Sequence, residues 1–303
     1  MNKVVVFGGS GFLGSHIADA LTVKGFRVVI FDIVSSKYLN RDQEMIVGNI
    51  LDHAAVKRAV KGASYVFHFA GIAGIEEAHD SPYDTAHINI LSTINILEAC
   101  KEYRVKRFVY ASTIYVYSSH GSFYRCSKQA CELFIENYHE EFGLDFIILR
   151  FGSLYGKRAN EFNFIYQAIK EAITENRISR PGNGDEIRDY INVLDAAKVS
   201  TDILEKEEFK NSHLMVKGTQ TTKVHDLLLM IKEMLNESVE IIYNDKQIKG
   251  HYKMTPYSFR PKVAKQYVLD TYYDLGQGLL DCIYDVYDQI KQDHEPPTLD
   301  SMD

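Results

Sequence analysis

Cysteine is scarce in this chain, and the few thiols present are not arranged to staple or ligate anything. Cys100, Cys126, Cys131 and Cys282 contain no CxxC pair, and with the histidines they make no zinc-like spacing. Reduced thiols and no metal are therefore expected. Long apolar runs are missing too: none approaches the ~20 residues that span a bilayer. Met1 runs into VVVFGG without a basic leader, so the expected location is the cytoplasm, away from membranes. Strong basic clusters are absent from a chain of net charge −7. Phosphate contacts need a positive surface, so nucleic acid is not an expected partner, and any bound phosphate is expected to belong to a small ligand. No fixed-period repeat or low-complexity linker occurs. Residues 291–303, ending in DHEPPTLDSMD, read as an acidic flexible tail without a function.

What is present is a rhythm of short β-branched runs and helical patterns. KVVVFG precedes a helix from Gly11 to about Lys24, then FRVVIFDI, a helix near AAVKRAVKG, and SYVFHFAG. DTAHINILSTINILEACKEY, KRFVYAS, the helix after Tyr124 and LDFIILRFG continue it. Strands alternating with helices of this length imply a doubly wound parallel α/β sheet. After Gly152 the rhythm weakens, which predicts a second, smaller mixed α/β lobe. The expected division is a dinucleotide-binding domain over 1–157, rejoined by 187–210, with 158–186 and 211–290 forming a substrate lobe.

The turn GGSGFLG at 8–14 fits two glycine templates, one through Gly8, Gly11 and Gly14 and one through Gly9, Gly11 and Gly14. In both, glycine permits a tight strand-to-helix turn and aims a helix N-terminus at a pyrophosphate. Asp32 closes RVVIFD, 18 residues after Gly14, where a carboxylate accepts hydrogen bonds from ribose hydroxyls. Its charge would repel a 2′-phosphate, and the residues from Ile33 to Ser36 include no arginine. NAD is expected over NADP. The competing reading of Asp32 is a strand-end residue that caps a loop. His16, His68 and His87 have no evident partners and are given no chemistry.

Tyrosine stands four residues before lysine three times, at Tyr124/Lys128, Tyr166/Lys170 and Tyr287/Lys291. Position separates them. KRFVYAST is a strand whose carboxyl end carries Ser112 and Thr113, and ligands of such sheets lie beyond the carboxyl ends of the strands. The helix around Tyr124 follows at once, whereas the other two pairs read as ordinary helix surface. Residues four apart share a helix face, so Lys128 can favour the Tyr124 phenolate over a phenol whose pKa starts near ~10. Tyrosine then becomes a usable base, and Thr113 can orient the substrate hydroxyl that loses its proton.

GGSGFLGSH, HFAG at 68–71, Asn89, AST-x-x-VY at 111–117, YRCSK, RFGSLYG at 150–156, RDYINVLDAA from Arg188 to Ala197 and FRP at 259–261 occur in order along nearly the whole chain. Together they resemble the extended short-chain dehydrogenases/reductases, in particular the sugar-nucleotide epimerase/dehydratase group; HFAG is similar to that of the UDP-galactose 4-epimerases. The resemblance implies catalysis by Thr113, Tyr124 and Lys128. It implies NAD contacts at Gly8, Gly11, Phe12, Leu13, Gly14, Asp32, Ile33, Asn49, Ile50, Phe69, Ala70, Gly71, Asn89, Tyr124 and Lys128. Substrate, a nucleoside-diphosphate sugar, is implied at Ser153, Asn163, Arg188 and Arg260, the two arginines on its diphosphate.

The implied reaction is oxidation at C4 of the sugar, as a 4-epimerase or a net 4-dehydrogenase acting on a UDP-hexose, or on a GDP-hexose or heptose of bacterial polysaccharide. The 4,6-dehydratases carry Asp-Glu directly after the threonine, and Ile114-Tyr115 at that point disfavours elimination. The alternative from another class is a non-catalytic NAD-binding regulator of the same fold. Three departures from the group's pattern stand out: only ten residues between Thr113 and Tyr124, Ser153 where asparagine is frequent, and Lys262 in place of a glycine. The helices 84–103 and 128–142 carry apolar residues on more than one face, among them Ile88, Leu91, Ile94, Leu133, Phe134 and Tyr138. The resemblance implies that they form a homodimer interface.

Overall fold

A computed structural model describes residues 1–235, 238–244, 251 and 265–294. Its centre is an eight-stranded sheet, parallel at every pairing. The strands are β1 (Lys3–Phe7), β2 (Arg27–Asp32), β3 (Gln43–Val47), β4 (Tyr65–His68), β5 (Arg107–Thr113), β6 (Phe146–Phe151), β10 (Ser212–Val216) and β13 (Lys265–Gln266). Their order is β13-β10-β6-β5-β4-β1-β2-β3, so the winding reverses between β1 and β4. A crevice forms where the winding reverses, and this is the place such sheets bind ligands.

The continuous apolar runs follow from burial on both faces. Val5, Phe7, Val29, Phe31, Val66, Phe108 and Ile148 face one core with α2 (His53–Val60), α5 (Ser92–Glu102) and α6 (Ser122–Phe142). The alternate residues Val4, Val6, Val28, Ile30, Phe67, Val109 and Leu149 face the other, under α1 (Phe12–Val23) and α8 (Val193–Asp202). Ahead of α5, the short helices α3 (Ile75–Asp80) and α4 (Pro82–Thr85) lead into a π-helical stretch, Ala86–Leu91. The doubly wound expectation holds, and α1 starts at Gly11 and stops at Lys24 as its pattern implies. β3 escaped the sequence reading because it is half-exposed and lacks a continuous apolar run.

The second lobe packs α7 (Phe164–Glu175), α9 (Val224–Leu235) and α10 (Leu275–His294) around Ile169, Ile178, Leu228, Ile231 and Leu279. With them go two small sheets. β7 (Ser153–Tyr155), β9 (Ile187–Asn192) and β11 (Thr221–Lys223) make one, and β8 (Arg177–Pro181) with β12 (Glu240–Asn244) makes the other.

The domain boundaries need correction in three places. β10 and β13, expected in the lobe as part of 211–290, belong to the main sheet. Leu214 and Val216 are buried there, and β10 covers a β6 edge whose backbone groups would otherwise be unpaired. Residues 187–210 divide: β9 lies in a lobe sheet, while α8 packs on α1. The expected tail from 291 is still helical through His294, and residues 295–303 lie outside the described part.

One close approach fixes the β1–α1 turn. A Cβ on Gly14 would stand 2.0 Å from the Gly8 carbonyl oxygen, backbone that cannot swing aside. Gly25 has φ +83° but open space around it. Gly14→Ala should therefore cost more than the roughly 1–3 kcal/mol of ordinary overpacking, and Gly25→Ala only about 1–2 kcal/mol of backbone strain. Urea unfolding of the two variants checks the order.

Candidate active site

The sequence-expected cofactor residues gather where β1, β2, β4 and β5 end. Gly8 leaves β1 with φ +80°, and a Cβ there would lie 2.5 Å from the Ala70 amide nitrogen. A Cβ on Gly9 would stand 2.8 Å from Ile30 Cγ2 and 3.1 Å from the Val6 carbonyl oxygen, so both glycine templates meet close packing in this turn. Gly11 opens α1 without a side-chain cap, which leaves the positive pole of the helix facing the turn. Phe12 and Leu13 supply the first helical amides. This backbone cradle fits a dinucleotide pyrophosphate.

Asp32 caps its loop, as the competing reading has it. One carboxylate oxygen accepts the Ser10 amide at 2.9 Å and the other the Ile33 amide at 2.8 Å, so it braces the glycine turn. Each oxygen retains a lone pair for a ribose hydroxyl. Ile33 and Val34 are exposed beyond it and bring no cation. Asn49 and Ile50 follow β3, where the Asn49 side-chain Oδ1 accepts the Leu51 amide at 2.9 Å and shapes the turn.

Asn89, expected as a cofactor contact, also clamps backbone. It is buried in the π-helical stretch, accepts the Ile72 amide at 2.8 Å, and donates to the Ile72 carbonyl and to the Ser127 hydroxyl, each at 3.0 Å. Those bonds engage its amide with protein and tie the Gly71 loop to α6. A Cβ on Gly71 would collide with that same amide oxygen at 2.6 Å.

Thr113 ends β5, and its hydroxyl lies near enough to the Tyr124 phenol to favour the phenolate. Lys128 lies one turn along α6; its ammonium donates to the Ala111 carbonyl at 2.8 Å and stands 5.8 Å from the Tyr124 ring centre. Burial pushes Lys128 down to about 8, with Cys131 and Glu132 acting against it. Burial pushes Tyr124 up to about 12. The expected lowering of Tyr124 by Lys128 does not emerge: desolvation of the phenolate dominates, and the group that opposes it is Thr113. Ser112, beside Thr113, gives its proton to Glu132 at 2.6 Å and is structural. His68, given no chemistry, is buried against Thr93 at 3.0 Å and pushed down to about 3 by burial.

The two rejected Tyr/Lys pairs lie far along the chain in α7 and α10. Tyr287 is exposed there, whereas Tyr166 is buried in the lobe core rather than on a helix surface.

Of the expected substrate residues, Arg188 is buried on β9, and Ser153 begins β7 in register with Tyr190 of the same small sheet. Asn163 is committed elsewhere: its oxygen caps α7 at the Ile165 and Tyr166 amides, and its nitrogen donates to the Leu154 carbonyl at 2.8 Å. Arg260 and Lys262 lie outside the described residues.

Sequence reasoning missed a contact between the 114–123 segment and His251. The Tyr115 hydroxyl and His251 Nδ1 are 2.8 Å apart, and His251 is pushed down to about 4 by burial and then by the charges of Arg188 and Arg180. Arg180 pairs with Glu186 at 3.3 Å. The separation of 136 residues between Tyr115 and His251 hides their contact from any local pattern.

A family model for the NAD dependent epimerase/dehydratase family matches residues 4–216. A Methanocaldococcus jannaschii protein provisionally named as a UDP-glucose 4-epimerase is 29% identical over 268 residues, covering 82% of this chain and 87% of its own. The UDP-N-acetylglucosamine 4-epimerase of Methanobrevibacter ruminantium, solved with UDP-N-acetylmuramic acid, superposes with a TM-score of 0.82 at 25% identity, over 95% of this chain and 99% of its own. The Bacillus cereus UDP-glucuronic acid 4-epimerase, solved with UDP-glucuronic acid and NAD, gives 0.83 at 22% identity, over 95% and 99%.

The Asp32 geometry sets a cofactor test. Asp32→Ala should weaken NAD about 10- to 100-fold, the loss of charged hydrogen bonds, and adding Ile33→Arg should turn the preference toward NADP. Fluorescence titration with both dinucleotides measures it.

Proposed function

The chain belongs to the NAD-dependent epimerase/dehydratase family, and from that premise we infer that it oxidises C4 of a UDP-sugar and returns the hydride to the opposite face, as a 4-epimerase. NAD is the family's cofactor and, when bound, takes up the hydride and gives it back. The observation that carries the reading is the convergence of Thr113, Tyr124 and Lys128 at the end of β5, beside the glycine turn at the reversal of the sheet. Thr113 holds the sugar hydroxyl. Tyr124, as phenolate, removes its proton while the C4–H bond gives up hydride, and a ketone results; the phenol later returns the proton.

Lys128 supports the phenolate from one turn below. Because burial raises Tyr124, a positive charge close to it is what makes the base form accessible near neutral pH. Arg188 supplies a guanidinium for the diphosphate, and the family resemblance assigns Arg260 to the same group. The relatives named as UDP-sugar epimerases favour UDP over GDP. Ile114 and Tyr115, which begin the 3₁₀ turn Ile114–Tyr117, leave no carboxylate there for eliminating water.

The proposed homodimer keeps only part of its expected surface. Tyr138 is buried within the subunit, and Ile88 packs against the core. Leu91, Leu133, Phe134 and Phe142 remain exposed on neighbouring helices, an apolar face that a second copy would cover.

Purified enzyme with NAD and a panel of UDP- and GDP-sugars should invert C4 of a UDP-sugar without net NADH. Tyr124→Phe should lose about 10²- to 10⁴-fold in kcat while NAD still binds; unchanged turnover refutes the assignment. Retained NADH with a keto product would instead identify a net dehydrogenase. Sedimentation should show a dimer that Leu133→Glu with Phe134→Glu converts to monomer.

A further inference from the structure

One buried ion pair has no part in the steps above, although it touches both sides of the reacting set. Glu132 and Arg150 have side-chain exposures of 4% and 1%. Glu132 is one turn beyond Lys128 and two beyond Tyr124, on the same face of α6. Its carboxylate accepts Arg150 Nε at 2.9 Å and Arg150 Nη2 at 2.7 Å, and it accepts the Ser112 hydroxyl at 2.6 Å. Arg150 lies opposite Ser112 in the β5/β6 register. Its remaining nitrogen, Nη1, donates to the Tyr117 hydroxyl at 2.5 Å, with the guanidinium 4.7 Å above the Tyr117 ring centre.

The pair therefore joins three pieces. It fixes the rotation of α6 against the strands, the strand end that carries Thr113, and the ten-residue bridge between Thr113 and Tyr124. Arg125, donating to the Ser118 carbonyl at 2.7 Å, and Gln129, donating to the Val116 carbonyl at 2.9 Å, fasten the same bridge from α6. A buried pair is weak evidence for stability, since apolar residues of similar volume replace such pairs with little loss. A positioning role explains why charge is placed there.

We propose that Glu132 and Arg150 are positioning residues that set Tyr124 and Lys128 against Thr113 and hold the bridge through Tyr117. The proposal rests on Thr113, Tyr124 and Lys128 being the reacting set. Lys128 is faced by Glu132, Cys131 and Tyr124 from its own helix, by Tyr110 and the Ala111 carbonyl from β5, and by His68 from β4. Glu132 is the carboxylate in that shell, and it works against desolvation to keep Lys128 charged.

The test uses the full chain saturated with NAD⁺. Tyrosinate absorbance is titrated in each variant and in the same variant carrying Tyr124→Phe, and the difference reports Tyr124 alone. In Glu132→Gln the carboxylate that helps hold the Lys128 proton is gone, so the Tyr124 titration should move away from its wild-type position. The apolar double variant Glu132→Leu with Arg150→Met should keep the thermal midpoint and NAD⁺ affinity. It should lose about 10- to 100-fold in kcat, with KM within about twofold, as misplaced reacting groups do. Tyr117→Phe, one hydroxyl smaller, should lower kcat about threefold or more by the same route.

A double variant with unchanged kcat and unchanged Tyr124 titration overturns the proposal. So does activity lost only in step with the thermal midpoint. If the double variant does not fold, Tyr117→Phe with wild-type kcat sinks it. A wild type inactive on every sugar refutes the proposed function instead, because the titration needs no sugar.

Discussion

A parallel strand covered by helices on both faces can offer chemistry only at its carboxyl end. That constraint organises this molecule. Because β1, β2, β4 and β5 are buried along their length, the residues that leave them have to carry the turn, the acid, the loop and the hydroxyl. The winding reversal between β1 and β4 then opens the crevice into which all four point. Gly8, Asp32, Gly71 and Thr113 share no local sequence pattern; what they share is being at or just past the last residue of a buried parallel strand.

This explains how much could be read from sequence. Buried strands announce themselves as runs such as VVVF and VVIF, and their ends locate the glycine turn, Asp32 and Thr113 without any coordinates. YRCSK was separated from two identical spacings by that argument. What could not be read was either half-exposed, like β3, or made by distant partners. Tyr115 meets His251 and Ser112 meets Glu132 because the sheet brings their elements together, and no periodicity encodes such meetings. Asn89 and Asn163 are of the same kind: asparagine suits a ligand and a backbone clamp equally well, and only the structure shows which amides each one satisfies.

The electrostatics correct a simpler expectation. A lysine near a tyrosine suggests an acidic phenol, yet burial affects both groups, raising the tyrosine and lowering the lysine. Each is moved toward its neutral form. Lys128, held near 8, still carries its proton near neutral pH, while the phenol stays neutral. The Glu132 carboxylate, itself neutralised by Arg150, sits behind this pair at a depth solvent does not reach.

The path of the chain through β10 has its own consequence. Between the lobe strand β9 and the lobe helix α9, the polypeptide returns through α8 to lay down a strand against β6. Two folding units that look divisible are thus threaded through one another. No single cut frees the lobe without stripping an edge from the main sheet.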